Sequence, residues 1–80
     1  MKSSLSHIKN GEFVIIREIL ESSLKVKLLE MGLTVEKQIE VLYRAPFGGP
    51  IAIDVEGYVL SLRKDEAELV EVERIKSAQT

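Results

Sequence analysis

The sequence predicts a small, mainly β domain: a partly open barrel of five short strands, with one short α-helix inserted after the first strand. Apolar residues alternate with polar ones in several short segments, which is typical of half-buried strands. Turn signals such as Asn10-Gly11, Gly48-Gly49 and Glu56-Gly57 separate these segments. The chain has 80 residues, enough for one domain with one small core, and a sheet of this size protects its edges best by curling.

The first strand is expected from Glu12 to Ile19, after a polar start from Met1 to Ser4. Regular alternation divides the apolar residues of this strand between two faces: Phe13, Ile15 and Ile19 on one, Val14 and Ile16 on the other.

A short helix is expected next, beginning at the capping serines Ser22 and Ser23 and ending at Gly32, which suits a left-handed residue after the last turn. Three apolar residues recur at helical spacing: Leu24, Leu28 and Met31. Val26 and Leu29 form a second apolar stripe. A helix this short can hardly bury both stripes, so one is free to contact a partner. The alternative is that both are core, one against the barrel and one against Phe47 or Tyr43.

A three-strand meander is expected from Gln38 to Leu62. In its first strand one face carries the residues Ile39, Val41 and Tyr43, and the strand ends at Ala45-Pro46. The segment from Pro46 to Pro50 contains two prolines and two glycines and is expected to form a tight turn.

The second strand of the meander begins at Ile51, and its inward face carries Ile51, Ile53 and Val55. Glu56-Gly57 is expected to form a two-residue hairpin turn into a third strand with the apolar residues Tyr58, Leu60 and Leu62. A single helical turn at Lys64 to Ala67 then leads into a closing strand through Leu69, Val70 and Val72. The residues from Ser77 to Thr80 are expected to form a tail, so that the core spans residues 5–75.

Composition excludes several functional classes. The net charge of −2 disfavours binding to nucleic acid, which depends on clustered basic residues. The chain has no cysteine, which favours the cytoplasm, and its longest apolar run, Phe13 to Ile16, is too short to cross a membrane.

No catalytic or metal-binding arrangement stands out. His7 is the single histidine, so neither a ferrous site of two histidines and a carboxylate nor a Ser-His-Asp triad is expected. The Gly48-Gly49 turn lacks the pattern of a phosphate-binding loop. The acidic residues near the C-terminus are interpreted as a solvated strand face, with divalent-cation binding as the alternative: Asp65, Glu66, Glu68, Glu71 and Glu73.

Three separated motifs resemble the FeoA domain family. They are Lys27 to Leu33 with Ile39 to Leu42, then Ala45-Pro46 with Gly48-Gly49-Pro50, and finally Gly57-Tyr58 with Leu60 to Arg63. The resemblance extends from about Leu5 to Val72 and implies an SH3-like barrel. One departure is Val35-Glu36, where the family usually has Pro-Gly, so the turn there cannot rely on glycine's positive φ.

The resemblance implies a cytoplasmic accessory protein of ferrous iron uptake that binds the cytoplasmic part of the FeoB transporter. The expected contact residues are Leu24, Leu28, Met31 and Phe47, and the expected structural turn residues are Gly32, Gly48, Gly49, Pro50 and Gly57. No catalysis, cofactor, bound metal, nucleic acid or membrane insertion is expected, and weak self-association through open strand edges is left open. The alternative is a regulatory module that acts with a metal-dependent transcriptional repressor.

Overall fold

The computed structural model describes residues 2–75, which form one six-stranded antiparallel sheet with two short α-helices and a single 3₁₀ turn. The strands are β1 (Lys2–Ser4), β2 (Phe13–Ile19), β3 (Gln38–Arg44), β4 (Ile51–Val55), β5 (Tyr58–Leu62) and β6 (Val70–Arg74). The helices are α1 (Lys25–Glu30) and α2 (Lys64–Ala67), and the 3₁₀ turn is Leu5–His7. The strands lie in the order β1-β6-β2-β3-β4-β5. The mainly β fold with one helix after its first long strand is confirmed.

The start of the chain forms a strand where only a polar segment was expected. Lys2–Ser4 pairs with β6, so that Lys2 lies opposite Glu73. The next turn places Leu5 and Ile8 fully in the core. The Arg44 guanidinium fixes this segment by donating hydrogen bonds to the carbonyl oxygens of Ser6, at 2.8 Å, and Ile8. A polar strand of three residues carries no alternation that a sequence pattern could reveal.

Two β-bulges change which side chains face the core. The pairing of β2 with β6 shifts register between Ile16 and Glu18, so Ile19 is buried on the same side as Val14 and Ile16. The expectation that Ile19 shares a face with Phe13 was therefore wrong. In β3 the register shifts between Val41 and Tyr43, and Tyr43 lies exposed instead of continuing the buried face. An extra residue in one strand reverses the alternation beyond it.

The meander forms as expected. β4 and β5 are joined by a two-residue turn in which Glu56 and Gly57 both have positive φ, 49° and 112°. The inward side chains of β4 meet those of β2, β3 and β6 in a core of buried apolar residues. Its fully buried members include Val14, Ile16, Ile39, Val41, Ile51, Ile53, Val55, Leu62 and Val72.

α1 begins differently from the expectation and ends as expected. Leu24 precedes the helix without a side-chain cap, and the Ser22 hydroxyl instead accepts the Leu24 N–H at 3.1 Å. At the C-terminus Gly32 has φ +96°, its N–H donates to the Leu29 carbonyl, and the Leu33 N–H donates to the Leu28 carbonyl. These two bonds define a Schellman motif, which satisfies carbonyl groups at the helix end.

The turn before β3 forms although the chain has Val35-Glu36 there instead of Pro-Gly, because Glu36 itself adopts φ +79°. Its N–H donates to the Ile16 carbonyl at 2.8 Å, and its carboxylate accepts a bond from Arg17 Nη1 at 2.9 Å. Backbone and side-chain bonds therefore hold a conformation that glycine would adopt more easily.

Candidate partner-binding surface

α2 connects α1 with the Pro46–Pro50 turn at one end of the domain. The link to α1 is the Glu66 carboxylate, which accepts bonds from Lys27 Nζ at 2.6 Å and from the Arg63 N–H at 2.9 Å. Glu66 is only 3% exposed, so its expected place on a solvated face was wrong. The hydrogen bond from Lys27, followed by that from Arg63, holds the pKa of Glu66 below its usual range.

On its other side α2 faces the Pro46–Pro50 turn across an open groove of about 530 Å³. Its lining consists of Gly48, Gly49, Pro50, Arg63, Lys64, Asp65 and Glu68. The two basic side chains in this lining are balanced by two acidic ones. The groove lining therefore has no net charge that would favour an anion or a cation.

Phe47 stands at the tip of the turn and is fully exposed. It has φ +60° and is followed by Gly48 with φ +72°. A bulky residue in the left-handed region is an outlier, and it persists here because surrounding bonds fix the loop. Two of these bonds lie within the backbone of the loop: the Ala45 N–H donates to the Pro50 carbonyl at 2.9 Å, and the Gly49 N–H donates to the Pro46 carbonyl at 3.2 Å.

The two glycines of this turn have different reasons to be glycine. Gly48 supplies a positive φ, as expected. Gly49 does not, but a Cβ there would lie 2.8 Å from the Ala45 Cβ, so Gly49 is required by space instead. The turn therefore presents Phe47 on a backbone that tolerates little change.

The helix presents the apolar stripe opposite to the one expected. Leu28 is fully buried and Leu24 and Met31 are half-buried, whereas Val26 is 64% exposed and Leu29 is 39% exposed. Leu28 therefore belongs to the core and is not a surface contact, which corrects its expected place among the contact residues. A signal was available in the sequence, because a Schellman motif commonly packs the residue two after the C-cap against the third residue from the helix end, here Leu33 and Leu28.

Among residues 2–75 the structure brings no three His, Cys, Asp or Glu side chains together as a metal-binding group. His7 is exposed in the 3₁₀ turn. None of the described helices is both long and apolar enough to cross a membrane.

The sequence model of the FeoA domain matches residues 3–74. The Fe(2+) transport protein A/Fe(2+) transporter FeoB fusion protein of Porphyromonas gingivalis (strain ATCC BAA-308 / W83) is 35% identical over 77 residues. This match covers 95% of the present chain but only 9% of the fusion protein, so the chain spans a small part of that relative's length.

Two solved structures share both sequence and fold with this chain. A crystal structure of an iron uptake regulatory protein, FeoA, is 36% identical, with a TM-score of 0.83 over 94% of this chain and 99% of that one. The FeoA-like protein from Clostridium acetobutylicum is 32% identical, with a TM-score of 0.88 over 99% of this chain and 93% of that one.

Two further structures show likeness of fold alone. Stenotrophomonas maltophilia FeoA complexed with zinc, described as a procaryotic SH3 domain protein, has a TM-score of 0.78 at 20% identity, over 89% of each chain. A manganese-dependent transcriptional repressor has a TM-score of 0.87 at 18% identity, over 92% of this chain and 37% of that one. With the fold, the motifs and the family match in agreement, the chain belongs to the FeoA domain family and has an SH3-like fold.

Proposed function

We propose that this domain is a cytoplasmic accessory protein of ferrous iron uptake that binds the cytoplasmic part of a FeoB transporter and modulates it without catalysis of its own. The observation that supports this proposal best is Phe47, an aromatic side chain held at the tip of a rigid turn with full exposure to solvent. Exposed aromatic side chains on rigid supports commonly provide the central contacts of protein interfaces.

The exposed helix stripe supports the same proposal. Val26 and Leu29 offer apolar surface on α1, and the bond between Lys27 and Glu66 holds α1 against α2, beside the groove that borders the Phe47 turn. Leu24 and Met31, half-buried at the margin of the helix, complete the proposed contact. The natural fusion of a similar domain to a FeoB transporter gives a reason to choose the transporter as the partner.

The test is a titration of the transporter's cytoplasmic part with the wild-type domain and with two single variants. Phe47→Ser and Val26→Asp are each expected to weaken binding by at least about tenfold, because each removes or charges an exposed apolar contact. Leu28→Asp does not test docking, because a charge in the core would unfold the domain.

The matched control is Phe13→Ser, which removes another exposed aromatic side chain, on β2 and outside the groove. It is expected to bind the transporter like the wild type. If Phe47→Ser and Val26→Asp remain folded and bind as tightly as the wild type, the proposed surface is wrong. If the wild type itself does not bind, the proposed partner is wrong.

A second candidate is a regulatory module that acts with a metal-dependent repressor. It is favoured by the close likeness of fold to part of a manganese-dependent repressor. Affinity purification from cells grown with and without iron distinguishes the two functions. Recovery of a repressor without the transporter would favour the second candidate.

A further inference from the structure

β5 forms one edge of the sheet, because β4 is the only strand paired with it among residues 2–75. Its sequence, from Tyr58 to Leu62, contains no charged residue and no proline. Sheet edges usually carry lysine, proline or bulges that prevent pairing with another chain. β1, at the opposite edge, has only three residues and includes Lys2. β5 therefore lacks the protection that the other edge has.

The two-residue hairpin determines which backbone groups of β5 are unpaired. Val55 and Tyr58 flank the turn and form a hydrogen-bonded pair, so Tyr58, Leu60 and Leu62 direct their backbone groups to β4. The N–H and C=O groups of Val59 and Ser61 point to the free edge. Val59 is also 62% exposed.

The inner face of β5 is occupied by its own chain. The Tyr58 hydroxyl donates to the Met31 carbonyl at 3.1 Å, Leu60 packs against the core and Leu62 is fully buried. The outer face carries Val59 and Ser61, and both are exposed. An added strand would therefore meet a small, neutral side-chain surface together with unpaired backbone groups.

We infer that β5 pairs antiparallel with β5 of a second copy of this chain, around a two-fold axis at Leu60. In this register Val59 lies opposite Ser61 of the second copy, and both carry outward backbone groups, as a hydrogen-bonded pair requires. The register is also favoured by charge. The Glu56-Gly57 turn of one copy comes beside Arg63 and Lys64 of the other. Glu56, whose carboxylate also lies 3.6 Å from Lys37 Nζ in its own chain, thus has opposite charges from the second copy beside it at both ends of the pair.

The pairing involves few residues, so the dimer is weak and concentration-dependent. Interfaces that bury less than about 1,200 Å² in total are typical of transient association. This inference uses neither Phe47 nor Val26. Arg63 and Lys64 also line the groove beside α2, so the pairing is tested at Val59 and Ser61, which lie outside the groove lining.

The test is sedimentation of the purified protein from micromolar to about millimolar concentration. The average mass of the wild type is expected to rise towards that of a dimer. Val59→Lys places two lysines near each other across the axis and is expected to weaken association at least about tenfold. Ser61→Pro removes an outward N–H and is expected to have the same effect. Val59→Thr, which keeps the shape of valine without a charge, is the control and should associate like the wild type.

Amide hydrogen exchange locates the contact. With rising concentration the Val59 and Ser61 amides are expected to become protected, while those of Lys2 to Ser4 in β1 do not change. A wild-type protein that stays monomeric throughout overturns the inference. So does association that survives in both Val59→Lys and Ser61→Pro, or protection that appears on β1 or α1 instead of β5.

Discussion

At the scale of single residues, Phe47 combines two unfavourable properties. Its side chain is fully exposed, and its backbone has a positive φ of 60°. Neither property stabilises the folded domain. An exposed side chain is not removed from water on folding, so it adds little hydrophobic stabilisation, and a left-handed conformation costs about 1 kcal/mol in a residue with a Cβ. A functional contact gives a reason for both.

Replacement of Phe47 by glycine is expected to raise the free energy of unfolding by up to about 1 kcal/mol, because glycine adopts a positive φ without strain. Urea denaturation measures this change. A loss of stability of similar size would show that Phe47 contributes to folding and would contradict a role that is confined to partner contact.

Glu66 is the residue on which the arrangement of α1 and α2 depends. Glu66→Gln is expected to lower the free energy of unfolding by about 1–3 kcal/mol at neutral pH, because it loses the charge-assisted bond from Lys27 in a buried position. The matched control is Glu68→Gln, at an exposed position of the same segment, which should change stability little. Equal effects of the two substitutions would contradict the proposed role of Glu66.

At the scale of elements, the end of α1 is fixed by a contact with β5. A Cβ on Gly32 would lie 1.9 Å from the Tyr58 hydroxyl oxygen, and Gly32 also has φ +96°. Gly11 offers a useful comparison, because it has φ +88° and no atom within 4 Å of the position of its Cβ. The two glycines share the conformational requirement and differ in the steric one.

Gly32→Ala is therefore expected to destabilise the domain more than Gly11→Ala, which should cost about 1 kcal/mol for strain alone. The additional cost at Gly32 should fall in a Tyr58→Phe background, because that substitution removes the colliding oxygen. The measurement is thermal unfolding of the wild type, the three single variants and the variant that combines Gly32→Ala with Tyr58→Phe. It gives the coupling free energy between Gly32 and Tyr58. Equal losses at the two glycines would show that Tyr58 does not restrict this position.

The two stripes of α1 should respond differently to truncation. Leu28→Ala is expected to cost about 2–5 kcal/mol, because it leaves a cavity in the core. Leu29→Ala, one residue further on, removes a partly exposed side chain and should cost much less. Chemical denaturation of both variants provides the measurement, and similar losses would mean that the helix packs with both stripes.

At the scale of the whole molecule, carboxylates paired in the folded state determine the response to acid. The pKa values of three glutamates are lowered from about 4.5 by hydrogen bonds to their carboxylates. Glu12 accepts from the Lys9 N–H, Glu66 accepts from the Lys27 side chain, and Glu73 accepts from the Arg17 side chain. The folded protein therefore binds fewer protons than the unfolded chain in this range.

The stability from these three groups is fully present above pH 4.5, the usual value of the carboxyl pKa, and it is lost as the pH falls through the lower values of the folded state. The free energy of unfolding is thus expected to be nearly constant around neutrality and to decline once the pH falls below 4.5. Denaturation at a series of pH values tests this, and Glu66→Gln should reduce the slope. A stability that does not change down to about pH 3 would contradict the expectation.

Alternation and turn residues depend on nearby residues, so the amino-acid sequence was sufficient to predict the mainly β fold, the meander, the Gly32 and Glu56-Gly57 turns and the family. The remaining features depend on packing between distant segments, which required the tertiary structure. It added the polar strand β1, which pairs through its backbone, and the bulges that buried Ile19 and exposed Tyr43. It also assigned Leu28 to the core and Val26 to the surface, since which stripe of a two-sided helix is covered depends on what the rest of the chain places against it.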